Sequence, residues 1–200
     1  MLTEYQRELR ERFLSAPVMP PPGAWRPVLD RPVPVGGLVG IGFAVDPAGD
    51  DLVLVVSHDG HGLLHARTGA RIARDRAPDS ESAYPDAAPD LTCPGLGPIA
   101  GTRVRIAGLF GGGLHTTAED GWTVDVVSPD WPNHRVVLST DGGLCRGPVG
   151  EKWWHIFHAD YSELRAVGFS PSGRTLAVAT SSDLMLWSRS VTPDPANRRR

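Results

Sequence analysis

The sequence contains very little lysine and cysteine. Lys152 is the only lysine among 20 basic residues, and Cys93 and Cys145 are the only cysteines in 200 residues. Two thiols in a chain of this length are an ordinary cytosolic complement, although one disulfide between them stays open as an alternative. Residues 1–12 are charged and lack the apolar segment of a secretory signal. We therefore expect a cytoplasmic protein.

Long apolar runs and an excess of charge are also missing. No apolar run approaches the roughly 18 residues that a membrane-spanning helix needs. The net charge of −3 gives no electrostatic basis for binding nucleic acid or a membrane surface. The excess of arginine over lysine is typical of a GC-rich genome, such as an actinobacterial one. We expect neither nucleic acid nor a membrane as a partner.

The sequence has no recognisable catalytic or cofactor motif. It lacks the G-x-S-x-G turn of serine hydrolases. The run Gly111-Gly112-Gly113 lacks the helix and the lysine that follow a phosphate loop, so we expect it to form a turn or bulge. We therefore expect no cofactor and assign no catalytic residue.

Glycine and proline are abundant, and one pattern of them occurs twice. The 23 glycines, 19 prolines and 40% hydrophobic residues suit many short strands joined by tight turns. In both 42–65 and 168–188, a glycine turn precedes an apolar strand, a polar turn with aspartate and a second strand. The aligned pairs are Gly49 with Gly173, Leu52 with Leu176, Ser57 with Ser181, Asp59 with Asp183 and, after two extra residues, His65 with Trp187. This recurrence predicts an all-β protein of repeated hairpin units.

A helix precedes the β-domain. Residues 1–16 predict a short amphipathic helix, because a capping box at Thr3 is combined with apolar residues at helical spacing. These apolar residues are Leu2, Tyr5, Leu9 and Phe13. The helix either packs on its own domain or docks on a partner. Residues 24–192 are expected to form a single β-domain, and residues 193–200 a disordered tail.

Three hairpin units are predicted in the β-domain, at residues 38–74, 102–140 and 153–188. Their turn glycines, Gly49, Gly113 and Gly173, lie 64 and 60 residues apart. The third unit ends near Ser188 with an unpaired strand edge, and such edges promote aggregation. A strand at 25–29 or 34–39 is a candidate for pairing with that edge and joining the two ends of the chain.

The third unit resembles a blade of a WD-repeat β-propeller. The resemblance rests on Phe169-Ser170-Pro171-Ser172-Gly173, on Leu176–Ala179, on Asp183 and on Leu184–Trp187. It covers about 60 residues, mainly 166–188 and more loosely 41–66. The Gly-His pair that precedes a blade in this family is absent, and the spacing exceeds the roughly 40–45 residues of its repeat. The resemblance implies antiparallel, blade-like sheets.

The number of units is smaller than the four to eight blades of closed propellers. Three arrangements therefore stay open. In the first, a degenerate fourth unit lies in 75–100 or 141–165. In the second, a second chain completes the sheets, which leaves a homo-oligomer open. In the third, the same hairpins form a sandwich or an irregular barrel.

Histidines and tryptophans supply the candidate site residues. His58, Asp59 and His61 form the densest histidine cluster and are candidate metal ligands, but His-Asp-Gly is also hairpin-turn chemistry. In the aromatic stretch 153–161, strand alternation places Trp153, His155 and Phe157 on one face and Trp154, Ile156 and His158 on the other. One face is then core, and the other is either a binding surface or also core.

We interpret the chain as a non-catalytic interaction module that binds a protein or peptide partner. The candidate binding residues are Trp122, Trp131, Trp153, Trp154 and His158, with Trp131 held in the rigid loop Pro-Asp-Trp-Pro-Asn. The alternative is a small metal-dependent enzyme that uses His58, His61, His115 and His158 on strand ends. The fold analogy behind the first interpretation carries no function by itself.

Overall fold

The structure is a computed structural model that describes residues 2–79, 83–85 and 91–190. The predicted disordered tail, 193–200, lies outside the described residues. One helix, α1 (Glu4–Ser15), precedes fifteen strands in the described part of the chain. In chain order they are β1 (Arg26–Pro27), β2 (Val33–Pro34), β3 (Leu38–Val45), β4 (Asp51–Ser57), β5 (Gly60–His65), β6 (Arg71–Asp75), β7 (Thr92–Pro94), β8 (Arg103–Arg105), β9 (Ala107–Gly108), β10 (Thr123–Asp130), β11 (Asn133–Ser139), β12 (Trp153–Ala159), β13 (Leu164–Phe169), β14 (Thr175–Thr180) and β15 (Asp183–Ser188). The protein is therefore mostly antiparallel β-sheet with one short N-terminal helix, as the sequence predicts.

The strands form three blade-like sheets and one small ladder. Sheet I has the order β6-β5-β4-β3-β9, sheet II the order β10-β11-β12, and sheet III the order β13-β14-β15 with both β1 and β2 on β15. The ladder pairs β7 with β8, and a 3-10 turn at Gly97–Ile99 lies between them in the chain. None of the sheets closes into a barrel.

Sheet III joins the two ends of the described chain. Arg26 and Pro27 of β1 pair with Ser188 and Trp187 of β15, and β2 pairs with the start of the same strand. The predicted closure of the third unit by an N-terminal strand is therefore confirmed. The candidate segment 25–29 contributes both residues of β1, whereas the candidate segment 34–39 contributes only Pro34 of β2, and β1 and β2 share the outer edge of β15.

The two sequence repeats adopt the same local structure. The amide of Gly49 donates to the Asp46 carbonyl at 3.0 Å, and the amide of Gly173 donates to the Ser170 carbonyl at 2.9 Å. Leu52 of β4 is the register partner of His65, just as Leu176 of β14 is the partner of Trp187. Gly113 does not belong to this series, because its φ is not positive, unlike those of Gly49 and Gly173. The even glycine spacing therefore misidentified the second turn.

The structure divides the second and third hairpin units differently from the prediction. Strand β12, assigned to the unit 153–188, pairs with β11 from Trp153↔Ser139 to Ala159↔His134 and so completes sheet II. At the other end, β9 leaves the unit 102–140 and pairs with β3 of sheet I.

The sheets stack face to face, and each gap is filled by an apolar cluster. Sheets I and III share a cluster to which sheet III contributes small side chains, Ala166, Ala177 and Ala179. Sheets II and III share a cluster with the larger Leu176, Val178 and several aromatic rings. Alternation along β14 therefore gives this strand one face of small side chains and one bulky face, and β15 adds Leu184 and Leu186 to the cluster with sheet I. The outer face of sheet I packs on the ladder, and the outer face of sheet II packs on α1.

Helix α1 covers sheet II through its C-terminal half. The predicted capping box is present, because the Gln6 amide donates to Thr3 Oγ1 at 3.2 Å and Gln6 Oε1 accepts from the Thr3 amide at 2.9 Å. Phe13 is buried edge-on against Trp153, with ring centroids 5.8 Å apart. The prediction that the helix packs on its own domain is confirmed for this half, whereas Leu2 and Tyr5 stay exposed.

Glycines permit the close approach of β3 to the end of β8 and to β9. A Cβ atom at Gly42 would lie within 3.0 Å of the Arg105 carbonyl oxygen, and one at Gly108 within 3.0 Å of the Val39 carbonyl oxygen. Backbone atoms occupy these positions, so a rotamer change cannot relieve the contact. The glycines therefore set the distance between sheet I and the segment that leads from the ladder into sheet II.

We expect Gly42→Ala to lower the free energy of unfolding by about 1–3 kcal/mol, because the added methyl group forces the backbone apart. Gly23→Ala is the matched control, since a Cβ at Gly23 meets nothing within 4 Å. Urea denaturation followed by circular dichroism measures both. Equal stability of the two variants would contradict the close approach.

Candidate binding surface

Trp153 is part of the core. Its side chain is 1% exposed, contacts Phe13 of α1, and donates from Nε1 to the Gly147 carbonyl at 3.0 Å. The helix therefore covers the face on which the sequence placed a candidate contact. Trp153 anchors α1 and is not part of a surface.

Trp122 and Trp154 belong to an aromatic cluster between sheets II and III. Trp154 is 9% exposed, and its ring centroid lies 5.8 Å from that of Trp122. Trp25, just before β1, packs edge-on against Trp122 at 5.9 Å and stacks on Phe169 at 5.6 Å. These rings hold the N-terminal segment against sheet II, so two more predicted contact residues have a packing role.

Arg189, which follows β15, packs against the same aromatic cluster. Its guanidinium lies 4.8 Å from the centroid of the Trp25 ring and pairs with both carboxylate oxygens of Asp120, with Nη2 at 2.6 Å from Oδ1. The hydrogen bond from Arg189 lowers the pKa of Asp120, although burial opposes the shift. This ion pair ties the residue after β15 to the turn before β10.

A β-bulge in β12 changes which side chains share a face. Val136 pairs with Phe157 and Val137 pairs with His155, so Ile156 is left without a register partner. The extra residue reverses the alternation, and Phe157 packs in the same cluster as Trp154 and Ile156. The predicted separation of His155 from His158 is therefore wrong, and their ring centroids lie 6.0 Å apart.

Trp131 and His158 come together where sheet II ends. Asp130 of β10 pairs with Asn133 of β11, so Trp131 and Pro132 form the two-residue tip of a hairpin. The structure thus replaces the predicted loop by a tight turn. His158 Nε2 lies 3.8 Å from Asp130 Oδ2, directly beside the tip. Trp131 is 76% exposed.

Charged side chains hold this tip in place. Arg135 reaches both oxygens of Asp130 at 3.4 Å, and its own side chain is largely buried. Desolvation raises the pKa of Asp130, but the hydrogen bond and charge of Arg135 outweigh it, so the pKa lies below its usual value. A carboxylate at Asp130 therefore persists at neutral pH and fixes the base of the hairpin.

The indole of Trp131 rests on a histidine that is itself held. The His134 ring meets Trp131 edge-on at 5.6 Å, and His134 Nδ1 lies 2.7 Å from Ser128 Oγ. Helix α1 also reaches the tip, because Arg10 Nε donates to the Pro129 carbonyl at 2.7 Å. The tip is thus supported from both β-strands and from the helix.

Two further aromatic side chains are exposed, one just past the end of β12 and one on α1. Tyr161, which is 72% exposed, follows Ala159, the register partner of His134. Tyr5 is 69% exposed. It lies near the N-terminus of α1, whereas the buried Phe13 lies near the C-terminus of the helix. Trp131, Tyr161 and Tyr5 are the three most exposed large hydrophobic side chains among the described residues. We call these three residues, with Asp130 and His158, the hairpin-end surface.

Sequence reasoning found only part of this surface. Arg135 and Asp130 were not singled out, although Asp130 immediately precedes Trp131. Tyr161 was included only as the last residue of an aromatic stretch. Tyr161 lies two residues past the end of a strand, which is a signal for exposure. Where that strand ends, and which strand it pairs with, depends on long-range pairing that the sequence alone does not give.

The remaining predicted histidines lie in other places. His58 and Asp59 form the two-residue turn between β4 and β5, and His58 Nδ1 lies 3.1 Å from the Tyr84 hydroxyl. His61 Nε2 lies 3.1 Å from the Ala83 carbonyl, and His115 bridges to Phe169 of sheet III. Within residues 2–79, 83–85 and 91–190, no group of three or more His, Cys, Asp or Glu side chains is arranged to hold a metal ion.

No family model, curated protein or solved structure matches this chain. The described residues contain no helix with the length and apolar character needed to cross a bilayer. The thiols of Cys93 and Cys145 are both buried, in two different apolar clusters. Burial raises the pKa of the Cys145 thiol to about 12, and the charge of Asp141 adds to the shift.

We expect Trp153→Ala to lower the free energy of unfolding by about 3–5 kcal/mol, because it removes a buried ring from between α1 and sheet II. Trp131→Ala, the matched control, should change it by no more than about 0.5 kcal/mol, because the indole is exposed. Urea denaturation of both variants measures the difference. Similar losses for the two would contradict the assignment of Trp153 to the core.

The stability of the protein should decrease as the pH falls below about 6.5, the ordinary pKa of histidine. Burial lowers the pKa of His155, and the charges of Arg135 and His158 act in the same direction. The unfolded chain therefore binds a proton there before the folded protein does, so acid favours unfolding. In His155→Gln, the difference in unfolding free energy between about pH 7.5 and about pH 5.5 should be smaller than in the wild type. An unchanged difference would contradict this contribution.

Proposed function

We propose that the protein is a non-catalytic, WD-repeat-propeller-like interaction module that binds a protein or peptide through the hairpin-end surface. The resemblance of 166–188 to a propeller blade and the stacked, blade-like sheets support the class. The exposure of Trp131 and Tyr161 at one end of sheet II, and of Tyr5 on the helix that covers this sheet, supports the location. The cytoplasmic setting expected from the sequence is part of the same proposal.

The single observation that carries the proposal is the exposure of these three aromatic rings on a supported frame. Aromatic side chains are common anchors of interfaces, because a rigid ring buries a large area at a small entropic cost. Asp130, Arg135 and His134 already fix the hairpin, so binding orders little further structure. A partner with an apolar pocket suits this arrangement.

The enzyme alternative has less support. It requires His58, His61, His115 and His158 to act together, yet they lie on different sheets or connections. His158 and Asp130 have no neighbouring nucleophile among the contacts of the described residues. No observation therefore favours catalysis over binding.

The proposal predicts that Trp131→Ala combined with Tyr161→Ala removes the partner that the wild-type protein captures from a lysate of its native host. Loss of two central aromatic anchors commonly costs about 2 kcal/mol or more each, which lowers affinity by well over tenfold. Quantitative mass spectrometry of the captured proteins measures the loss. Acrylamide quenching of Trp131 fluorescence, with and without the isolated partner, checks that the indole becomes covered.

Phe110→Ala is the matched control, because Phe110 is also exposed but follows β9 of sheet I. It should leave capture unchanged. All three proteins must first show the same thermal unfolding. Recovery of the same partners by the double variant and the wild type would contradict the proposed surface.

A further inference from the structure

A cleft lies on sheet I at a distance from the hairpin-end surface. It is bounded on one side by β2 and the residues that follow it, and on the other by β4, β5 and β6. Its volume is about 150 Å3. We call it the β6 cleft. The apolar part of its lining consists of Val33, Pro34, Val35, Val55 and Leu64, and Ser57, Asp59 and His61 are polar lining residues.

The floor of the β6 cleft is a glycine. Gly62 sits between Val55 of β4 and Arg74 of β6, and a Cβ atom there would meet nothing within 4 Å. Its neighbours along the strand carry full-sized side chains that are packed. The missing side chain therefore creates the space, and an apolar group of similar size fits without moving the backbone.

Two arginines line the outer side of the cleft. Arg71 is the register partner of Leu64, and Arg74 is the register partner of Gly62. Both are exposed, and neither has an ion-pair partner among the described residues. Asp59, in the turn before β5, also lines the cleft. Two arginines on β6 against one aspartate leave the lining with an excess of positive charge along its β6 side.

The size of the β6 cleft restricts its occupant. Small-molecule sites usually enclose roughly 300–1,000 Å3, about two or more times this volume. The cleft is therefore too small for most drug-sized ligands and suits a short aliphatic group. The matching ligand therefore carries one short apolar chain next to a single anionic group.

We propose that the β6 cleft binds the C-terminal residue of a partner polypeptide. Its aliphatic side chain occupies the space over Gly62, and its terminal carboxylate pairs with Arg71 and Arg74. Guanidinium groups match a carboxylate with paired, charge-assisted hydrogen bonds. The preceding peptide residues extend past β6, an edge strand whose backbone bonds only to β5 among the described residues. This site is independent of the hairpin-end surface.

Fluorescence polarisation with a labelled hexapeptide, Gly-Ser-Gly-Ser-Thr-Val with a free C-terminus, tests the proposal. The wild type should bind it, and the same peptide with an amidated C-terminus should bind about tenfold or more weakly, because a charged hydrogen-bond acceptor is lost. Arg71→Gln with Arg74→Gln should weaken binding of the free acid to a similar degree. Gly62→Val should also abolish it, while leaving thermal unfolding unchanged.

Matched controls separate the site from general effects of charge and sequence. Arg146→Gln with Arg174→Gln removes two exposed arginines elsewhere, and Gly23→Val adds a side chain at another open glycine. Both should bind as the wild type does. Trp131→Ala should also bind the peptide normally, because Trp131 does not line the cleft. A failure of the proposed function can therefore be distinguished from a failure of this proposal.

Three outcomes would overturn the proposal. The first is no binding of peptides ending in valine, leucine or isoleucine at about 1 mM. The second is binding that survives amidation or Gly62→Val. The third is binding of free isovalerate as tightly as the peptide, which would assign the cleft to a small aliphatic acid.

Discussion

The pairing of β15 with the N-terminal strands β1 and β2 is the interaction on which the arrangement of the other sheets depends. It makes sheet III from both ends of the chain and places it between sheets I and II, so each face of sheet III is buried. Trp25 extends this pairing into the cluster with Trp122, and Arg189 joins the other end to Asp120. If the edge of β15 were open, the backbone groups of a hydrophobic strand would face solvent, and the cluster between sheets II and III would lose its N-terminal wall.

This stacking also decides which aromatic residues are available for binding. Sheet II is covered by α1 on one face and by sheet III on the other, so Trp153 and Trp154 of β12 are both buried despite pointing in opposite directions. In β11 and β12 the central residues are buried, and the accessible residues lie near the strand ends. The aromatic residues at those ends, Trp131 and Tyr161, are the ones that the core does not use. Helix α1 and the β7–β8 ladder cover the two outermost faces of the stack. Three blade-like sheets therefore bury their apolar faces without closing into a ring.

The sequence predicts well what is decided within a few residues. The turns at Gly49 and Gly173, the capping box at Thr3 and the equivalence of His65 with Trp187 all follow from local spacing. Even the N-terminal closing strand was predictable, because an unpaired edge in one segment requires a donor elsewhere. The sheet to which β12 belongs was not predictable, because the sequence of 153–159 is equally compatible with the first strand of the next unit. The bulge at Ile156 was not predictable either, because it is a shift in the pairing of β12 with β11, and the sequence does not show that pairing.

The two proposed surfaces lie on opposite sides of sheet III, because the β6 cleft lies between sheet I and β2, whereas Trp131 and Tyr161 lie at the end of sheet II. Stacked sheets lie about 10 Å apart, so sheets I and II are separated by about 20 Å. Contacts at the hairpin-end surface and at the β6 cleft therefore do not compete for the same atoms. A partner whose C-terminus reaches the cleft while another segment covers Trp131 would gain affinity through effective concentration, without either contact being strong alone. The same separation requires a linker between those two segments long enough to pass around the edge of sheet III, which restricts such a partner to one with an extended C-terminal segment.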